Sequence, residues 1–260
     1  MELTGLKDTV AIVTGAARGI GYGVAEALAS AGAKLAIVDV DSSALATAKK
    51  SLSAHTEVIG QAMDVRDLDQ VERFVDASCA HFGAVDSLVN VAGIQRLGLL
   101  TELSEADFDS TFAVNVKGVF LMSQAVGRRM AAQGSGAIVT VSSNAALVPR
   151  VKQGAYCASK AAVSHLMRVF ALELGPLGVR CNCVNPGATE TDMIRNMVAT
   201  MGLGEILLRG SLENFRVGTP LQKNAQVEDV ANAVLFLLSK QGGHITMHDL
   251  VVDGGATLGA

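Results

Sequence analysis

Hydrophobic positions along the chain follow two alternating patterns. Short runs that are apolar throughout, as in Val10-Ala-Ile-Val-Thr14 and Lys34-Leu-Ala-Ile-Val-Asp39, predict strands buried on both faces. Between them the apolar positions recur at helical spacing, from Gly19 to Ala31 and again from Ser42, a candidate N-cap, to about Ser53. The alternation continues to the end of the chain. Further strands are expected near Glu57–Met63, Ser87–Val91, Ala137–Ser142, Val179–Val184 and Asp249–Val252. Helices are expected near Leu68–Phe82, Ala106–Ala132, Ala155–Leu174 and Val227–Ser239. Strands separated by helices imply right-handed crossovers, and hence an α/β fold: a doubly wound, seven-stranded parallel sheet with helices on both faces. No repeat, linker or composition shift divides residues 1–260, so one domain is expected. The segment 189–220 is irregular, with glycines at 202, 204, 210 and 218. Because it follows the sixth strand, at the edge of the sheet where ligands of this fold bind, it is expected to form a substrate lid.

Composition narrows the class further. Of 260 residues, 50% are hydrophobic and 18% charged, which excludes a disordered chain. The longest apolar run, Ala233–Leu238, is far short of the roughly 20 residues that cross a bilayer. A net charge of −4 with no basic stripe argues against nucleic-acid binding. Glu2, Lys7 and Asp8 leave no apolar signal-peptide core, so a cytoplasmic protein is expected. Cys79, Cys157, Cys181 and Cys183 form no C-x-x-C pair and lack histidines at ligand spacing; buried, reduced thiols and no metal are expected.

Candidate chemistry begins after the first strand, at Thr14-Gly15-Ala-Ala-Arg18-Gly19-Ile20-Gly21. Glycines in such a turn let the backbone approach a pyrophosphate at a helix N-terminus, although G-x-x-x-G-x-G departs from the usual dinucleotide spacing. Asp39 ends the second strand, where a carboxylate accepts hydrogen bonds from ribose hydroxyls and repels a 2′-phosphate. Arg18 points the other way, as a possible phosphate partner. The carboxylate is expected to dominate, favouring NAD over NADP.

Tyr156-Cys-Ala-Ser-Lys160 places a phenol and an ammonium on one helix face. A neighbouring cation favours the phenolate and fits Tyr156 to act as a base. Ser143, at the end of the fifth strand, is positioned to orient a substrate hydroxyl. Arg150 lies between Ser143 and Tyr156, where a guanidinium suits a ligand carboxylate. Arg96 is a second candidate for that role, and Met193 a candidate apolar wall for a ring.

On these motifs, together with Asp64-Val65, Asn90-Val-Ala92-Gly93, Asn115-Val-Lys-Gly118 and Pro186-Gly187, the chain resembles the short-chain dehydrogenase/reductase family along its whole length. Val91 stands where the family pattern has a second asparagine. The resemblance implies that Gly15, Arg18, Gly19, Ile20, Gly21, Asp39, Ala92, Gly93, Pro186 and Gly187 serve the cofactor, with Tyr156 and Lys160. It implies that Asp64 and Val65 contact adenine, that Asn90 supports the central strands beside the cofactor, and that Thr189 meets the carboxamide. Asn115 would hold a water in a proton relay through Lys160, and the assembly would be a homotetramer. A narrower likeness covers Ala92–Gly98, Phe112–Val116, Val148–Arg150, Pro186–Met193 and Val251–Ala260. It links the chain to the branch that oxidises 2,3-dihydro-2,3-dihydroxybenzoate, and so implies a cyclohexadiene carboxylate substrate. Three alternatives stay open: trans-2,3-dihydro-3-hydroxyanthranilate oxidation, 3-oxoacyl-thioester reduction with NADPH, and a non-catalytic dinucleotide sensor.

Overall fold

The computed structural model describes residues 2–201 and 204–260; Gly202 and the side chain of Met193 lie outside the described part. In chain order the elements are β1 (Val10–Thr14), α1 (Gly19–Ser30), β2 (Lys34–Asp39), α2 (Ser42–Leu52), β3 (Val58–Ala62), α3 (Leu68–Phe82) and β4 (Ser87–Asn90). Then come α4 (Glu105–Phe112), α5 (Val119–Gln133), β5 (Gly136–Val141), α6 (Gly154–Leu174), β6 (Val179–Pro186), α7 (Asp192–Met201) and α8 (Gly204–Arg209). A short hairpin, β7 (Gly210–Ser211) and β8 (Arg216–Val217), precedes α9 (Val227–Leu238) and β9 (Asp249–Val252). Seven strands form one parallel sheet in the order β3-β2-β1-β4-β5-β6-β9. The strand order reverses between β1 and β4, which opens a crevice at their carboxyl ends.

The continuously apolar runs explain the two layers of helix. Successive side chains of a strand face opposite ways, so a strand covered on both sides needs an apolar residue at each position. Ala11 and Val13 of β1 join one core with Val24 and Leu28 of α1 and Val230 and Val234 of α9. Val10 and Ile12 join the other, with Phe74 of α3, Met122 of α5 and Met167 of α6. In β5, Val139 and Ile138 divide in the same way. Burying such a leucine- or phenylalanine-sized side chain contributes about 1.5–3 kcal/mol.

Several expectations need correction. Residues 106–132 are helical throughout, as expected, but not uniformly α: a π segment, Ala113–Gly118, lies between α4 and α5. The wider turn accommodates Gly118 against Val65, where an added Cβ would lie 2.6 Å from the valine side chain. Ser42 is the first helical residue of α2, not its cap; the Asp41 carboxylate accepts from the Ala44 N–H at 3.0 Å. All four cysteines are free, but only Cys181 and Cys183 are buried; Cys79 and Cys157 are partly exposed. Burial pushes the Cys181 thiol up to about 12 against the opposing pull of Arg180.

Candidate active site

The crevice divides into two parts. The first is built by backbone. Thr14 Oγ1 accepts from the N–H groups of Val91 and Ala92, at 3.0 and 3.1 Å, and so fastens the end of β1 to the chain leaving β4. At Gly15, with φ +65°, a Cβ would fall 2.9 Å from the backbone of Ala92. At Gly21 it would fall 2.1 Å from the carbonyl oxygen of Gly15, which no relaxation of a side chain can relieve. Helix α1 then begins without a side-chain cap and without an acid in its first turn. By contrast Asp41, Asp67 and Ser104 cap α2, α3 and α4. The free N–H groups at Gly19, Ile20 and Gly21 thus face a cleft of about 500 Å³ and suit an anionic ligand.

Asp39 also faces that cleft. Its carboxylate accepts from the N–H of Ala17 at 3.1 Å and of Asp41 at 3.0 Å, so it is held in place by backbone. Arg18 is ion-paired with Asp41. The N–H of Ala44, and then Arg18, hold the Asp41 carboxyl below its usual value. Asp64 and Val65 line the far end, and the Arg66 guanidinium clasps Asp64 at 2.6–2.9 Å, lowering its carboxyl. Ala92 and Gly93 form the floor. Asn90 does not reach it. Its buried amide donates to Ser123 Oγ at 3.0 Å and Thr140 Oγ1 at 3.1 Å, so it braces β4 against α5 and β5. Arg96 also departs from expectation. It borders the cleft from outside, exposed and paired with Asp107 at 3.3 Å, and is not among the residues around the substrate cavity.

The second part is built by side chains, around a cavity of about 140 Å³. Tyr156 and Lys160, one turn apart on α6, both face it, and Ser143 closes the third side. Lys160 Nζ donates to the carbonyl of Val141 at 2.9 Å and lies 5.7 Å from the centre of the Tyr156 ring. Burial brings Lys160 down to about 8, which leaves it mostly charged at neutral pH. Burial pushes the Tyr156 phenol up, and the Ser143 hydroxyl pulls it back. Ser143 itself accepts from the Ala145 N–H at 3.1 Å, fixing its rotamer.

Asn115 sits in the π turn. Its Oδ1 accepts from the N–H of Ile94 at 2.8 Å; its Nδ2 donates to the Ile94 carbonyl at 2.9 Å and to Ser159 Oγ at 3.0 Å. The side-chain amide therefore braces the loop after β4 against α6. Pro186, Gly187 and Thr189 border the cavity at the end of β6, with Thr189 bridging to Ala225. Gly187 packs so closely that a Cβ would lie 2.8 Å from Cβ of Asp253.

Two arginines complete the cavity. Arg150 is half-buried; among the described residues its guanidinium makes one hydrogen bond, a long one of 3.5 Å, to the carbonyl of Ala256. Arg216, on β8, was not singled out in the sequence because the segment around it carries no periodic signal. Neither arginine is within ion-pair distance of a carboxylate among the described residues. Ile194 and Leu207, from α7 and α8, supply an apolar wall.

A parallel sheet with this reversal of strand order, an uncapped glycine turn, and a Ser–Tyr–Lys group around one cavity define a dinucleotide-dependent oxidoreductase fold and site. The family model described as enoyl-(acyl carrier protein) reductase matches residues 15–257. The chain is 47% identical to the 2,3-dihydro-2,3-dihydroxybenzoate dehydrogenase of Bacillus subtilis, over 100% of both chains. It is 45% identical to the Escherichia coli enzyme of the same name, over 95% of this chain and 96% of that one. Among solved structures, a 7α-hydroxysteroid dehydrogenase complexed with NADH and 7-oxoglycochenodeoxycholic acid superposes with a TM-score of 0.89 at 31% identity. That match covers 96% of this chain and 95% of the other. The chain belongs to the short-chain dehydrogenase/reductase family and is an oxidoreductase.

Proposed function

We propose that the chain oxidises a ring hydroxyl of 2,3-dihydro-2,3-dihydroxybenzoate with NAD, giving 2,3-dihydroxybenzoate for catecholate siderophore synthesis. The observation that carries this reading is the shared cavity. Ser143, Tyr156 and Lys160 face the same space as a half-buried Arg150 with no carboxylate partner among the described residues.

The residues present fit a nicotinamide dinucleotide. Gly19, Ile20 and Gly21 offer uncapped N–H groups for the pyrophosphate, and Gly15 and Gly21 leave space that a Cβ would fill. Asp39 would take the adenosine ribose, with Asp64 and Val65 beside the adenine and Thr189 beside the carboxamide. Asp39 and Asp41 together disfavour a 2′-phosphate, and Arg18 is already neutralised by Asp41; both points support NAD. A bound nicotinamide supplies the acceptor for the hydride that leaves the ring carbon.

The chain's own residues do the rest. Tyr156, as phenolate, removes the hydroxyl proton that Ser143 directs towards it. Lys160 stabilises the phenolate with a full charge in a buried setting, where the interaction is strongest. Arg150 holds the ring by its carboxylate. The dienone formed then tautomerises to the catechol, so aromatisation pulls the reaction towards oxidation.

The segment 189–220 acts as a substrate lid on the single domain 1–260. The protein works in the cytoplasm as a homotetramer. Apolar side chains exposed on α4, α5 and α6 (Phe108, Phe120, Val169 and Leu172) support association of copies. The decisive experiment compares NADH formation from 2,3-dihydro-2,3-dihydroxybenzoate, trans-2,3-dihydro-3-hydroxyanthranilate and, in reverse, a 3-oxoacyl thioester, each with NAD(H) and NADP(H). Turnover is expected to be fastest with the dihydrodiol and NAD; preference for the thioester with NADPH would overturn the proposal.

A further inference from the structure

The lid hairpin is built inside out. Its tip exposes Leu212 (96%) and Phe215 (91%) to solvent, while Arg216 turns inward to the cavity. Solvation alone would favour the reverse arrangement, and such local conflicts concentrate at functional sites. The backbone enforces it. Phe215 takes a left-handed φ of +49°, unusual for a bulky residue, immediately before Arg216. Across the hairpin, a Cβ at Gly210 would fall 2.5 Å from the carbonyl oxygen of Arg216, and one at Gly218 would fall 2.1 Å from that of Leu208. Thr219 locks the base, its hydroxyl donating to the Leu207 carbonyl at 3.0 Å.

What this places in the cavity is a half-buried cation. Arg216 Nε is buried without a hydrogen-bond partner among the described residues, and Arg150 faces the same space. Burial, and then repulsion by Arg150, bring Arg216 down to about 10, so its guanidinium stays charged at neutral pH; burial lowers Arg150 as well. Asp253 attracts Arg150 from beyond ion-pair distance. Leaving a buried donor unsatisfied beside a like charge is costly unless a ligand completes the site. A carboxylate has two oxygens and about four lone-pair positions, enough to accept from two guanidiniums at once.

We propose that Arg216 is the second half of a carboxylate clamp, joining Arg150 from the lid, and that it makes the pocket specific for an anionic ring. This rests on the dihydrodiol-carboxylate reading above and deepens it. The substrate's own charge then draws the lid hairpin onto the ring. The clamp also disfavours a ring with an ammonium beside its carboxylate, because that cation would sit near two guanidiniums. The hydroxyl substrate is therefore preferred over its aminated analogue.

The test uses the full-length enzyme with NAD bound and salicylate as a non-reacting carboxylate probe. Arg216→Met is expected to weaken salicylate binding by about tenfold or more, as loss of a charge-assisted hydrogen bond requires, and Arg216→Lys to recover part of it. In kinetics, Arg216→Met is expected to raise KM for the dihydrodiol carboxylate more than it lowers kcat. The KM of the neutral cyclohexadiene diol, lacking the carboxylate, is expected to move far less. The inference is overturned if salicylate fails to bind the wild-type enzyme, if the variant binds it as tightly, or if the neutral diol suffers equally. Failure of the function proposal looks different: the dihydrodiol is not oxidised, yet salicylate binding still depends on Arg216.

Discussion

The two parts of the crevice satisfy their polar groups in opposite ways. On the cofactor side the charged groups are already paired or held: Asp39 by two backbone N–H groups, Arg18 by Asp41, Asp64 by Arg66. Shape there is set by glycines whose replacement collides with backbone. On the substrate side Arg150 and Arg216 have no carboxylate within ion-pair distance among the described residues, and the tyrosine and lysine are both displaced from their ordinary pKa values by burial. The first part is a preformed cradle. The second keeps half-buried charges unpaired among the described residues, the arrangement expected of a site that a ligand completes.

The sharpest way to separate the parts is Tyr156→Phe. NADH formation is expected to fall by about 10²–10⁴-fold, the usual worth of a positioned acid–base group, with NAD affinity retained in a calorimetric titration. Gly21→Ala should do the reverse. Its methyl meets the Gly15 carbonyl oxygen, and overpacking of about 1–3 kcal/mol should appear as NAD affinity weakened roughly 10–100-fold.

Lys160→Met probes the stored electrostatics through pH. Burial raises Tyr156, so activity is expected to climb with pH as the phenol ionises; the Lys160 cation favours that ionisation, and is itself lost above about 8. Removing it should move the rising limb of kcat/KM to higher pH by about one unit, a tenfold loss at neutrality. An unmoved limb would show that the lysine does not stabilise the phenolate. Asp39→Asn should narrow the preference for NAD over NADP by about tenfold, measured as the ratio of the two kcat/KM values. The smallest effect is expected outside both parts. Arg129→Ala breaks an exposed pair with Asp76 and should change unfolding free energy by less than about 1 kcal/mol in urea titrations.

This contrast also explains what could be read from the chain itself. The cradle was legible because its constraints are local: seven residues from Gly15 to Gly21 carry the turn, and helix α3 is bounded by its own signals, the Asp67 cap and a left-handed Gly83. Tyr156, Lys160 and Ser143 were legible because one helix turn and one strand end bring them together. Arg216 was not. It reaches the cavity through a hairpin whose folding-back is a tertiary event, some sixty residues after Tyr156 in the chain. Arg96 misled for the related reason that position after a strand does not set side-chain direction; Asp107 does. The π turn around Asn115 was hidden because apolar spacing continues across it, and the close approach of Gly118 to Val65 beside it is a tertiary contact.

The central claim is an oxidation driven by aromatisation, and stoichiometry tests it most directly. Incubating the enzyme with NAD and 2,3-dihydro-2,3-dihydroxybenzoate should yield NADH and 2,3-dihydroxybenzoate in equal amounts, with near-complete consumption of the limiting reactant. NADH without the catechol, or an equilibrium that stops well short of completion, would contradict the account.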